Sequence, residues 1–208
     1  MGDGVNRVPK RRSKNPIDRL GLAVLFGRGQ KIFHKGQKAK HIYQVVSGCV
    51  QTHTKLGDGR RFVSAFYFAG DYFGLGMRTK QTFAAEASAP SIVRVIRKTD
   101  IALAALTNTA VAEQMLYLTG VELERTQNHS MLLRSPADER VGNFLFALKK
   151  RSRKKEQDIV MSRQEIADYL NLTTETVSRA LTRLKKRSAI SIHKHRRIAV
   201  RLRRPLAA

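Results

Sequence analysis

Three polar residues, Glu175, Ser178 and Arg179, stand at positions i, i+3 and i+4 of a helical pattern, so they share one face of that helix. The chemistry open to such a trio is base readout. A guanidinium gives two parallel hydrogen bonds to guanine O6 and N7, a carboxylate accepts from cytosine N4, and a hydroxyl serves either a base edge or a phosphate. The plain alternative is a surface salt bridge between Glu175 and Arg179. The pair lies in the more densely basic part of the chain, which favours readout. Around it, Ser162, Thr173, Thr174, Arg183 and Arg196 are the candidates for contacts to a phosphate backbone.

The segments around the trio have the signals needed to position it. Ser162-Arg163-Gln164-Glu165 is a capping box that opens a short helix, Arg163–Leu170, with Ile166, Ala167 and Leu170 inward. Asn171-Leu172-Thr173 is a tight turn, and Thr173 is a natural N-cap for a second helix, Thr174–Lys186, buried along Val177, Leu181 and Leu184. Two short helices joined in this way, with polar side chains early on the second, give helix-turn-helix geometry. Beyond them, Ile190–Ile192 and residues 198–202 alternate around the basic segment 193–197, which reads as a β-hairpin wing. Residues 137–149 form a further helix after the break at Ser135-Pro136, with Val141, Phe144, Leu145 and Leu148 inward.

Residues 101–134 contain no Pro and one Gly, and read as a single long helix. Val111, Met115, Leu118, Glu122, Arg125, His129 and Leu132 recur at spacings of three and four, on one stripe. Such a stripe suits pairing with a second copy or packing within the chain; the length of the helix makes a homodimer the expectation. Residues 25–97 read as short β-branched or aromatic strands (42–46, 49–54, 62–68 and 91–96) punctuated by glycines. That pattern favours an antiparallel roll or barrel. Gly57-Asp58-Gly59 is a hairpin turn candidate.

Composition narrows the classes. The 208 residues include 40 Lys+Arg and 16 Asp+Glu, a formal charge of +24. Residues 1–133 hold 20 basic and 9 acidic side chains; the last 75 hold 20 and 7. A charge this large calls for an anionic partner, of which nucleic acid is the commonest, and the helix-turn-helix pattern makes double-stranded DNA the expectation. The run at 149–155 is either a phosphate contact or a solvated loop. One cysteine excludes a disulfide framework, a Cys-based zinc site or a cysteine-ligated iron–sulfur cluster. Cys49 falls in a strand and reads as a small core residue. The histidines at 34, 41, 53 and 129 are scattered, so no metal site is expected. No nucleophile–base pair or phosphate loop suggests an enzyme. No apolar run approaches a membrane span, and the basic start, Arg7 to Lys14, lacks the apolar stretch of a secretory leader. A cytoplasmic protein is the expectation.

These segments together resemble the Crp/Fnr superfamily of bacterial transcription regulators, over about residues 26–202. Glu175-Thr176-Val177-Ser178-Arg179 is similar to the E-x-x-S-R recognition string of the Fnr/FixK branch. Met161 to Leu170, His41-Ile42-Tyr43-Gln44-Val45, Ser47-Gly48-Cys49-Val50, Asp58-Gly59-Arg60-Arg61 and Gly70-Asp71-Tyr72-Phe73-Gly74-Leu75 resemble the FixK subgroup. The resemblance implies an α+β fold: a basic disordered tail at 1–20, an antiparallel β-roll like that of cyclic-nucleotide-binding domains at 21–100, a dimerisation helix at 101–134, and a winged helix-turn-helix at 135–208. It implies a dimer on a TTGAT-type palindrome that recruits RNA polymerase, with the 56–60 hairpin tip as one contact surface, and a link to low-oxygen respiration and nitrogen fixation. The chain departs from the family's pattern in informative ways. No cysteine precedes Cys49, so the cluster of Fnr proper has no ligands. Gly74-Leu75 and Ala84-Ala85 stand where cyclic-nucleotide binders carry Gly-Glu and Arg-Ser, so no cofactor is expected. Ser188 replaces a usual Gly at the helix-to-wing junction, and Asn171 replaces another in the turn. A ligand- or haem-gated sensor and a non-specific basic nucleic-acid binder are the competing expectations.

Overall fold

The structure is a computed structural model that describes residues 16–151, 157–192 and 197–200. The chain divides into two compact units, Met1–Thr126 and Gln127–Ala208.

The first unit is an antiparallel roll of eight strands: β1 (Leu22–Phe26), β2 (Lys31–Phe33), β3 (His41–Ser47), β4 (Cys49–Lys55), β5 (Arg61–Phe68), β6 (Tyr72–Phe73), β7 (Ala84–Ala87) and β8 (Ser91–Arg97). They form two four-stranded sheets, ordered β1-β8-β3-β6 and β2-β7-β4-β5. Alternating side chains of both sheets meet in one core, which includes Phe26, Phe33, Tyr43, Val50, Tyr67 and Phe73. Tyr43 stacks on Phe73 with ring centroids 5.0 Å apart. The four strands expected from the sequence are present, and the Gly57-Asp58-Gly59 turn joins β4 to β5 with Gly59 at φ 82°. At Gly48 (φ 91°) a side chain would collide with the Pro90 carbonyl 2.5 Å away, so the close crossing of β3–β4 over Ser91 requires glycine there. Cys49 is fully buried.

Two expectations are corrected here. The basic tail does not extend to residue 20: Pro16–Arg19 forms a 3-10 turn. Ile17 lies fully buried in a second core with Ile42, Tyr72, Ile96 and Ile101. Asp18 pins this turn to the sheet, accepting hydrogen bonds from Gln44 (2.7 Å) and from the Tyr72 hydroxyl. The tail's remainder, residues 1–15, lies outside the described residues. Likewise, residues 101–134 are not one helix. Helix α1 (Lys98–Thr107) ends at Asn108, whose backbone is extended (φ −143°, ψ 100°). A new helix, α2 (Thr109–Arg134), begins after it, with the Asn108 side chain accepting from the Ala110 amide at 3.1 Å.

The α2 stripe expected at a dimer seam packs within its own chain instead. Val111 is buried in the second core, with Met115 and Leu118 against it. Glu122 and Arg125 reach Tyr67 and Asp71 of the roll. Further along, His129 is buried and stacks on Tyr169 at 4.0 Å, its Nε2 2.8 Å from the Tyr169 carbonyl. Leu132 is half-buried. The apolar side chains left exposed on α2 are different ones: Leu116, Tyr117, Leu123 and Met131.

In the second unit, α3 (Ala137–Arg151), α4 (Arg163–Leu170) and α5 (Thr174–Lys186) pack together, followed by β10 (Ile190–Ile192) and β11 (Arg197–Val200). These two strands pair antiparallel as the expected wing, and β9 (Gln157–Asp158) adds a third strand that the sequence did not announce. Val141, Phe144, Leu145 and Leu148 of α3 are buried, as the periodicity required. Among the described residues, no helix is long and apolar enough to cross a membrane.

Candidate nucleic-acid interface

The helix-turn-helix is built by local chemistry. The Ser162 hydroxyl accepts from the Glu165 amide at 3.1 Å, and the Glu165 carboxylate accepts from the Ser162 amide at 2.6 Å, closing the capping box of α4. At its other end Asn171 takes φ 51°, a left-handed conformation that Asn tolerates better than most residues. This turn lets the Leu172 amide reach the Ala167 carbonyl. Thr173 then caps α5, its hydroxyl accepting from the Thr176 amide at 3.1 Å. Ile166, Ala167 and Leu170 of α4 and Val177, Ala180, Leu181 and Leu184 of α5 are buried. The opposite face of α5 is therefore turned to solvent.

On that face Glu175, Ser178, Arg179, Thr182 and Arg183 line one shallow depression of about 320 Å³. The structure thus brings together the whole expected trio. Glu175 and Arg179 are 3.6 Å apart, with side chains 75% and 60% exposed. An exposed i,i+4 pair of this kind contributes little stability, so either partner can leave it at little cost. Ser178 is more constrained. Its hydroxyl donates to the Thr174 carbonyl (2.8 Å) and accepts from the Arg163 guanidinium (3.1 Å). With its proton committed, Ser178 offers a contacting base an acceptor rather than a donor.

The expected phosphate contacts divide. Thr173 and Thr174 sit at the start of α5, where first-turn amides and the helix dipole favour an anion. Ser162 closes the capping box, its hydroxyl accepting from the Glu165 amide and its amide donating to the Glu165 carboxylate, which leaves the hydroxyl proton available to a phosphate. Arg183 is held by the Asp138 carboxylate of α3. Since both are about half exposed, a phosphate competes with Asp138 for the same guanidinium. Arg196 lies outside the described residues. Sequence reasoning missed Arg163 and Thr182 as members of this surface. Thr182 follows Ser178 by four residues, a spacing that was readable. Arg163 belongs to the other helix, and no periodicity links it to Ser178.

The comparisons with known proteins agree with this geometry. Residues 139–208 match a Crp-like helix-turn-helix domain, and residues 23–108 match a cyclic nucleotide-binding domain. The nitrogen fixation regulation protein FixK of Azorhizobium caulinodans is 40% identical over 99% of this chain and 86% of its own length. The FixK of Rhizobium meliloti is 35% identical over 89% and 85%. Among solved structures, FixK2 from Bradyrhizobium japonicum superposes with a TM-score of 0.82 at 36% identity, over 87% of this chain and 92% of that one. With its roll, its capped helix-turn-helix and this similarity along almost its full length, the chain belongs to the Crp/Fnr family of DNA-binding transcription regulators, in the FixK-like branch.

Proposed function

We propose that this regulator binds a TTGAT-like palindrome as a homodimer, reads each half-site with Glu175, Ser178 and Arg179, and recruits RNA polymerase to the promoters so marked. The observation that carries this reading is the loosely paired, solvent-facing Glu175–Arg179 couple on a helix that is capped and buried on its other side. A carboxylate on a DNA-facing helix is unfavourable near phosphates unless it accepts from a base, which favours sequence readout over general attraction by charge. Two recognition helices of a dimer would lie about 34 Å apart, one turn of DNA. The relatives' names point to nitrogen-fixation genes as targets, and the exposed 56–60 hairpin tip is the surface offered to polymerase.

The dimer seam in this reading is the free face of α2. A helix advances by about 100° per residue. Leu116, Gly120 and Leu123, with Glu113 three residues before and Gln127 four residues after, therefore form a seam-like stripe roughly opposite the Val111–Arg125 stripe. Leu116 and Leu123 are exposed, and Gly120 has open space where a side chain would stand, which permits a close helix approach.

DNA binding in this reading needs neither an iron–sulfur cluster nor a cyclic nucleotide. The match to a cyclic nucleotide-binding domain favours a ligand-gated alternative, but the residues do not fit that ligand. Ala84 stands where a cyclic phosphate would need a cation, Ala85 beside it is fully buried in the roll core, and aromatic rings fill the space between the sheets. The single cysteine, buried Cys49, offers an iron–sulfur cluster one ligand where it needs several. The test is a gel-shift titration of ligand-free, aerobically purified protein on a TTGAT-palindrome duplex and a scrambled duplex, at two salt concentrations. A cognate preference that survives the higher salt supports the proposal. Equal binding to both, with a preference that appears only on adding a ligand, would replace it with the gated reading.

A further inference from the structure

A polar cluster largely shielded from solvent joins α2 to the roll. Its centre is Arg125, whose side chain is 15% exposed. The guanidinium points three ways: Nη2 to the Asp71 carboxylate at 3.2 Å, Nε to the Glu122 carboxylate at 3.1 Å, and Nη1 to the Phe66 backbone carbonyl at 3.1 Å. Its plane also lies over the Tyr67 ring, 4.8 Å from the centroid. The partners are themselves fixed. The Tyr67 hydroxyl donates to Glu122 at 2.7 Å, and Asp71 accepts from the Phe68 amide at 2.8 Å in the turn that follows β5.

The rest of the α2 contact in this unit is mainly apolar, through Val111, Met115 and Leu118, with one longer hydrogen bond from the Ile17 amide to the Gln114 side chain at 3.3 Å. Apolar burial is non-directional. A guanidinium fork held at three points fixes the rotation of the helix more sharply, because its donors lie in one plane with fixed directions. We propose that Arg125 is a positioning residue: by locking the rotation of α2 against β5 and Asp71, it fixes Leu116, Gly120 and Leu123 as the face offered to a second copy of this chain. This inference rests on the dimer reading above. It adds that the seam is aligned by the chain's own ion cluster.

The test uses the full-length protein and two measurements on each variant: the dimer dissociation constant by sedimentation over a concentration series, and the unfolding midpoint in denaturant. The variants are Arg125→Ala, Arg125→Lys and Asp71→Asn, with Leu116→Ser as the seam control. If α2 holds the competent rotation only about a third to a tenth of the time without the lock, and both copies need it, the apparent constant rises as the inverse square, about 10–100-fold. That rise is expected for Arg125→Ala and Asp71→Asn under conditions where both are folded, with partial recovery in Arg125→Lys. Should Arg125→Ala fail to fold, the isosteric Asp71→Asn decides. A folded Asp71→Asn protein with a lowered unfolding midpoint and an unchanged dimer constant overturns the inference, since a merely structural cluster behaves that way. Wild type that stays monomeric at every concentration, with no effect of Leu116→Ser, removes the dimer reading itself and the inference with it.

Discussion

The two units use the same pair of groups, an arginine and a carboxylate, to opposite ends. In the roll, Arg125 and Asp71 are 15% and 12% exposed and in contact at 3.2 Å, inside a cluster that also engages Glu122, Tyr67 and a backbone carbonyl. In the helix-turn-helix, Arg179 and Glu175 are mostly exposed and meet loosely at 3.6 Å. Burial makes the first pair costly to break, because either partner left alone would be an uncompensated charge in a poor solvent for it. Exposure makes the second cheap to exchange, because water and salt already screen it. Position in the fold, not residue type, separates a charge that holds structure from one available to a ligand.

The sharpest way to break this comparison is to truncate each arginine. Arg125→Ala should lower the stability of the first unit by about 3–5 kcal/mol, read as the shift in denaturant midpoint at unchanged slope. Arg179→Ala should leave that midpoint within about 0.5 kcal/mol, as surface substitutions do. It should instead weaken cognate DNA binding by about 1–3 kcal/mol and relax discrimination at one guanine, read by titration against single-position variants of the half-site. A stability loss in Arg179→Ala matching that of Arg125→Ala would erase the distinction.

How much of this was legible in the sequence follows the same division. The helix-turn-helix was readable to the residue, Arg163–Leu170 and Thr174–Lys186, because its boundaries are written locally in Ser162, Glu165, Asn171 and Thr173. The α2 stripe was readable as a stripe but not as a seam. Periodicity states which side chains share a face, while what covers that face depends on Tyr67 and Asp71, more than fifty residues away. The break at Asn108 was open to reading, since an Asn followed by Thr is an N-cap signal; the absence of Pro and Gly concealed it. Strand β7, Ala84–Ala87, was missed because alanine has weak strand preference. It is a strand through its pairing with β4 and β2 on either side. The aromatic filling of the roll was not announced either, since a ring in an alternating strand reads the same whether it packs on its neighbours or lines a cavity.

A smaller effect sharpens the comparison inside the second unit. Ser188 takes φ 54° at the helix-to-wing junction, in the left-handed region that favours glycine. A non-glycine residue there costs about 1 kcal/mol. Ser188→Gly should therefore stabilise the second unit by up to about 1 kcal/mol, less whatever the looser unfolded chain takes back, with cognate affinity unchanged. A midpoint that falls would show that the serine side chain contributes more than its backbone costs.

The smallest effect expected is a pH dependence confined to the roll. His53 is held below its ordinary pKa, first by burial and then by the Arg61 guanidinium, against the opposing pull of Glu86, 3.4 Å away. His41 is lowered too, by burial and by Arg97 and Lys40. For both, the unfolded chain binds a proton more readily than the folded one, so folding stability falls as pH drops below the ordinary histidine value of about 6.5 and is fully present above it. Thermal unfolding of the wild type at about pH 7.5 and about pH 5.5 should show the lower midpoint at the acid end. His53→Gln should reduce that difference without removing it, since His41 remains. A His53→Gln protein whose pH response equals that of wild type would show that Glu86 already offsets what burial and Arg61 impose, and that this part of the roll tolerates its charges without strain.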